Sequence, residues 1–201
     1  RKGKVKEALK LGNKELDASF RFVAGNMNFI LGHNNVGKTH FTFYLMLLYT
    51  IKHKIRWLVF SSENDPVQLI KKLIEFLEGK PINKIEEKDY EKSKELVYNH
   101  FKFVDINRQY TYKELLDLAE KVKDAWDYDG FIIDPINSLR KDLRNTNGYE
   151  YSYECLTEIR LFCKKYNVST WICAHAVTES LRRKHSPNHE FGGQVPPPSL
   201  G

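Results

Sequence analysis

Short apolar runs of strand length alternate along the chain with longer segments whose apolar positions recur at helical spacing. Met27 to Leu31, Arg56 to Ser61, Phe101 to Val104, Gly130 to Asp134 and Ser169 to Ala174 read as strands. Between them, Lys38 to Lys52 is apolar on nearly all sides, as a helix buried against a sheet is, and Pro66 opens a helix that runs to Glu78. Leu115, Leu118, Val122 and Trp126 fall on one helical stripe, started by a capping box of Thr111 with Glu114. A further helix, Tyr149 to Tyr166, carries Tyr153, Leu156, Ile159 and Cys163 on one face. This alternation defines repeated βαβ units, so the expected fold class is α/β, a mostly parallel central sheet flanked by helices. The Lys/Glu-rich segment Gly79 to Lys94 reads as a solvated surface connection, and Asn145 to Gly148 as an exposed turn. No internal repeat or interdomain linker is visible, so residues 1–201 read as a single domain.

Composition narrows the class. A chain of 201 residues, 41% of them hydrophobic, can bury a full core, which excludes fibrous and wholly disordered readings. Thirty-two Lys and Arg against 26 Asp and Glu give a net charge of +6, which permits an anionic partner without requiring one. Cys155, Cys163 and Cys173 form no CxxC pair, so neither a disulfide framework nor a zinc site is signalled, and a reducing, cytoplasmic compartment is expected. The longest apolar run, Phe41 to Ile51, falls far short of the roughly 20 residues that cross a bilayer, and the N-terminus lacks a signal-peptide pattern, so a soluble protein is expected. The chain opens at Arg1 and closes in a Pro- and Gly-containing stretch, which reads as a segment of something longer. Residues 184–201 are expected to form a mobile loop or tail.

The strongest chemical signal is Gly32-His33-Asn34-Asn35-Val36-Gly37-Lys38-Thr39, followed by His40. It fits GxxxxGK[ST] directly after a predicted strand and directly before a predicted helix, the context a phosphate-binding P-loop requires. The glycines let consecutive backbone N–H groups turn inward around phosphates, and the helix N-terminus adds partial positive charge. Lys38 reaches the β/γ oxygens, and the Thr39 hydroxyl can ligate Mg²⁺. Phe131-Ile132-Ile133-Asp134 is an apolar strand ending in an acid, suited to hold the magnesium of such a site, although an Asp there also serves as a turn former or cap. Pro135 follows where many P-loop ATPases carry a catalytic Glu, so the water-activating group must come from elsewhere. Glu63, after Ser61-Ser62 at another strand end, is the candidate, against the alternatives of a solvated loop carboxylate or a helix N-terminal acid near Pro66. His175, ending Trp171-Ile172-Cys173-Ala174, reaches the γ-phosphate if its strand lies between the P-loop and Asp134 strands.

This order of P-loop, Glu after the second strand, Asp134-Pro135-Ile136-Asn137 and Ala174-His175 resembles the RecA-fold ATPase domain of hexameric replicative DNA helicases of the DnaB-type superfamily. Asp-Pro followed by Asn, and His at the sensor position, are most similar to the Twinkle-type and phage primase-helicase branch. The lead-in residues Leu11-Gly12, Leu16-Asp17 and Gly25 are also similar. The resemblance implies an ATP- and Mg²⁺-dependent motor for DNA replication, working as a homo-oligomeric ring, a hexamer, on single-stranded DNA. In it Lys38, Thr39 and Asp134 are nucleotide and metal residues, Glu63 is the base and His175 is the sensor. It also implies that the His175 strand sits between the other two. The family's further strands, with a basic finger that acts on the neighbouring nucleotide, are not in this sequence, so the domain is expected to be truncated before its last strands.

Arg140, Lys141 and Arg144 after the Asp134 strand, and Arg182, Arg183 and Lys184 after the His175 strand, point to one edge. Helicases of this fold line their channel with loops at these places, and basic side chains that track a backbone suit a motor indifferent to sequence. An ordinary solvated basic face is the alternative. Two rival functions share the ATP site: a RecA-like recombinase, which forms filaments, and a nucleotide-dependent regulatory switch with little turnover.

Overall fold

A computed structural model describes residues 7–33, 36–141 and 148–175. Its strands are β1 (Met27–Gly32), β2 (Trp57–Ser61), β3 (Phe101–Phe103), β4 (Gly130–Asp134) and β5 (Ser169–His175), all parallel in the order β1-β5-β4-β2-β3. The central strands β2, β4 and β5 are buried along nearly their whole length, which is why they read as continuous apolar runs and not as alternating ones. The strand ending in His175 lies between the P-loop strand and the Asp134 strand, the sheet order that the family resemblance implied.

Helices cover both faces. Six are described: α1 (Lys14–Ser19), α2 (Lys38–His53), α3 (Pro66–Glu78), α4 (Glu87–His100), α5 (Tyr112–Ala125) and α6 (Gly148–Tyr166). The two-residue period of each strand splits the core. Trp57, Val59, Ile132 and Trp171 face α2, α3 and α4, while Leu58, Phe60, Phe131, Ile133 and Ile172 face α5 and α6. Gly130 opens β4 against the ring of the fully buried Trp57, leaving no room for a Cβ. The three cysteines are free and buried.

The capping box that starts α5 is present, with the Thr111 hydroxyl accepting from Glu114 N–H and the Glu114 carboxylate accepting from Thr111 N–H. Asp65 caps α3 ahead of Pro66. The lead-in residues form a clasp. Asp17 accepts the N–H groups of Leu11 and Gly12, at 2.6 and 2.8 Å, and Lys52 at the end of α2 donates to Leu11 O at 2.7 Å.

Three sequence expectations are corrected. The segment read as a connection from Gly79 to Lys94 contains the start of α4, whose buried face is Ser93 and Val97 with half-buried Tyr90 and Leu96. So few apolar positions among so many Lys and Glu hide a helix from a hydrophobic-pattern reading. In α6 the core face is Tyr151, Cys155, Ile159, Phe162 and Cys163, and Tyr153 is exposed, because the stripe that packs on the sheet is rotated from the predicted one. Gly148 belongs to α6 and not to a turn; residues 145–147 lie outside the described residues.

Candidate nucleotide site

The site is built at the carboxyl ends of four neighbouring strands, the end of a parallel sheet where loops gather ligands. Gly32 is the register partner of His175, and Ser61 that of Asp134. The chain leaves β1 and enters α2 through Gly37, which caps the helix at φ 87°; this left-handed backbone favours glycine at that point of the motif. Lys38 then folds back over the loop. Its ammonium donates to the carbonyls of Gly32 at 2.9 Å and His33 at 2.6 Å, and to His175 Nδ1 at 3.3 Å.

His175 Nε2 lies 3.1 Å from Glu63 Oε1. An ammonium has only protons to give, so Nδ1 accepts from Lys38 and the ring proton sits on Nε2, which donates to Glu63. Lys38, His175 and Glu63 thus form one hydrogen-bonded chain across the ends of β1, β5 and β2. Beside it, Thr39 Oγ1 donates to Asp134 Oδ2 at 2.9 Å. Asp134 is only 3% exposed, and burial pushes its carboxyl above the usual carboxylate range; the Thr39 hydrogen bond works against this, and the nearby Glu63 charge adds to it. Two hard oxygen donors so close together fit the oxygen chemistry that a Mg²⁺ ion would require of Thr39 and Asp134. Among the described residues there is no cluster of three or more His, Cys, Asp or Glu that could hold a metal unaided.

An open cleft at this edge is lined by Gly37, Lys38, Thr39, His40, Glu63, Asn64 and His175. The structure therefore brings Gly32, His33, Gly37, Lys38, Thr39, His40, Glu63, Asp134 and His175 together. Val36 is 62% exposed on the loop, and Asn34 and Asn35 lie outside the described residues. Asn64, which donates to Ser61 Oγ at 3.0 Å, lines the cleft without having been singled out from sequence; its position next to Glu63 was the available signal.

Of the basic residues, Arg140 and Lys141 are exposed, and the Arg140 guanidinium lies 3.4 Å from Glu114. Arg140 is pinned by its backbone: its N–H donates to Tyr110 O, and its carbonyl accepts from the Tyr151 hydroxyl. Arg144, Arg182, Arg183 and Lys184 lie outside the described residues, as does the expected tail 184–201.

No protein-family model and no curated protein sequence matches the chain. Its fold does match solved structures. A DnaB-like replicative helicase, solved in a study of its interactions with primase, superposes with a TM-score of 0.65 at 13% identity, over 81% of this chain and 42% of that one. A separately solved ATPase domain gives 0.64 at 13% identity over 79% and 60%. The KaiC-like protein PH0186 from Pyrococcus horikoshii OT3 gives 0.60 at 20% identity over 86% and 72%. The chain thus has an α/β RecA-like fold, and it spans about half the length of the first two of these chains. Among the described residues no helix is long and apolar enough to cross a membrane.

Proposed function

We propose that this chain is the ATP-hydrolysing motor domain of a replicative DNA helicase of the Twinkle-type and phage primase-helicase branch. In the full-length protein it works as a hexameric ring that translocates on single-stranded DNA. The observation that carries the reading is the hydrogen-bonded chain Lys38–His175–Glu63 beside the Thr39–Asp134 pair. Each element has a use in phosphoryl transfer. Lys38 trades its loop carbonyls for the β/γ-phosphate oxygens, supplying a point charge where negative charge builds up. Thr39 and Asp134 hold Mg²⁺, which when bound neutralises charge on the β- and γ-phosphates. Glu63, half-exposed at the cleft, accepts a proton from the attacking water. His175 loses its Lys38 donor when phosphate draws that ammonium away, so its ring reports nucleotide to the segments that follow β4 and β5 in sequence. Arg140, Lys141, Arg144, Arg182, Arg183 and Lys184 contact the DNA backbone.

The test is ATP turnover by the full-length protein with and without single-stranded DNA, together with electron microscopy of the assembly. DNA-stimulated turnover and closed rings are expected. Filaments on DNA would favour the recombinase reading, and tight ATP binding with negligible turnover at any DNA concentration would favour the regulatory switch.

A further inference from the structure

The end of β5 reaches past the end of its neighbour. β4 and β5 pair only from Gly130↔Ser169 to Ile133↔Ile172, whereas β1 stays paired with β5 as far as His175. In a parallel ladder the N–H groups of a strand point alternately to its two neighbours. The N–H of Ser169 donates toward the β4 side, to Asp129 O at 2.9 Å, and that of Thr170 toward the β1 side, to Asn26 O at 2.9 Å. His175 has the parity of Ser169, so its N–H is aimed where β4 no longer runs.

The next carbonyl in that series belongs to Pro135, and it is taken. It accepts from Ser138 N–H at 3.3 Å and from Ser138 Oγ at 2.8 Å, closing the single turn of 3₁₀ helix Ile136–Ser138. The N–H of His175 instead donates to Asn137 Oδ1 at 2.9 Å. A side-chain amide thus stands in for a strand carbonyl at the one rung that carries the imidazole between Lys38 and Glu63. Without that rung, the N–H of His175 has no partner on the β4 side, at the point where its ring must span 3.3 Å to one partner and 3.1 Å to the other.

We propose that Asn137 is a positioning residue of the nucleotide site, whose side-chain carbonyl completes the β4–β5 ladder and fixes the His175 ring between Lys38 and Glu63. The proposal rests on the nucleotide-site reading for its consequence in catalysis, but not for the placement of the ring. The property required is an acceptor at the Oδ1 position. Asn and Asp supply it; Leu, of nearly the same size, does not. The same turn leads to Arg140 and Lys141, so Asn137 also ties the first turn of that basic loop to the histidine.

The test is nitrogen-15 NMR of histidine side chains in the full chain without nucleotide, with the His175 resonances assigned by their loss in His175→Gln. Wild type is expected to show the widely separated pair of a ring fixed with its proton on Nε2. Asn137→Asp should keep that pattern, and Asn137→Leu and Asn137→Ala should collapse it toward the averaged values of a ring that exchanges tautomers. In DNA-stimulated steady-state turnover the Leu variant should lose kcat about tenfold or more with KM for ATP changed less than about twofold, as expected of an outer residue that orients a functional one. Asn137 is exposed, so folding is not at risk, and the Ala variant provides a second reading of the same loss. A fixed-tautomer pattern retained in both the Leu and Ala variants overturns the proposal. A pattern that follows Asn137 in a protein that binds no ATP upholds the placement and overturns the nucleotide reading instead.

Discussion

Lys38 and His175 stand 137 residues apart in sequence and meet at 3.3 Å, because Gly32 and His175 are register partners on adjacent parallel strands. In this arrangement the lysine's donors are occupied by two loop carbonyls and an imidazole, and the cleft holds a positive charge already aimed at its own loop. A triphosphate has only to replace weaker acceptors with charged ones. The side chain is therefore preorganised, and little ordering entropy opposes binding.

Lys38→Ala should accordingly remove most triphosphate affinity and all turnover while leaving the fold intact, because the ammonium lies at the mouth of the site and not in either core. Calorimetric titration with ATP and a thermal melt check both halves. Equal ATP affinity in wild type and variant would sink the P-loop assignment.

Glu63→Gln keeps the shape and the bond to His175 Nε2 but cannot take a proton from water. Binding should persist while hydrolysis falls by about 10²- to 10⁴-fold, the typical cost of losing a general base. His175→Ala should instead leave basal turnover measurable and abolish its response to DNA. Normal hydrolysis by the Gln variant would move the base to another acid.

The parts legible in the sequence were those with strong local signals. The buried strands announced themselves as apolar runs, and β4 was delimited to the residue by Gly130 and Asp134. The P-loop and the capping box at Thr111 are short-range patterns that no tertiary contact has to rescue. What escaped was set by packing between distant segments. Helix α4 buries only Ser93 and Val97, so its spacing signal, Tyr90, Ser93 and Val97, was drowned by Lys and Glu. Asn137 was visible as part of a motif, but its role depends on where β4 stops relative to β5, which only the sheet register reveals.

Gly130 is another case where tertiary packing decides. A Cβ there would overlap the six-membered ring of Trp57, itself wholly buried between β2 and the α2 side of the sheet. Gly130→Ala should destabilise the fold by about 1–3 kcal/mol, the usual cost of overpacking a core. A lowered urea midpoint with an unchanged m-value is expected. A midpoint equal to that of wild type would mean that the Trp57 ring can shift without loss.

Asp134 gives a pH-dependent prediction. Burial raises its folded pKa above the ordinary 3.8, so between those two values the folded protein binds a proton that the unfolded chain has released. Stability from this group is fully present below 3.8 and is lost as pH rises through the folded value. Asp134→Asn lacks that loss. In Mg²⁺-free urea titrations, the stability advantage of the Asn variant should grow with pH through the acidic range and then level off. The same variant should lose Mg²⁺-dependent tightening of ATP binding. A stability difference that is flat with pH would place the charge penalty elsewhere.

The basic loop after β4 can be tested through its described residues, Arg140 and Lys141. The Arg140 ion pair with Glu114 is exposed on both sides, with side chains 54% and 42% accessible, so it contributes little to stability and a phosphate can compete for the guanidinium. The Arg140 backbone, by contrast, is held at both its N–H and its carbonyl, so the side chain projects from a fixed point. If both residues grip single-stranded DNA, replacing them with Ala should weaken binding about equally for all sequences. Each lost contact removes about 0.7 from the slope of log affinity against log salt, or about 1.4 for the pair. ATP affinity should stay at the wild-type value, since neither side chain lines the nucleotide cleft. Titration of the assembled full-length protein at several salt concentrations gives the slope directly. The same measurement on Arg182, Arg183 and Lys184 tests the basic residues that follow β5 in sequence. An unchanged slope in the Arg140/Lys141 variant would make this edge an ordinary solvated basic face, and the DNA-motor reading would then rest on the nucleotide site and fold alone.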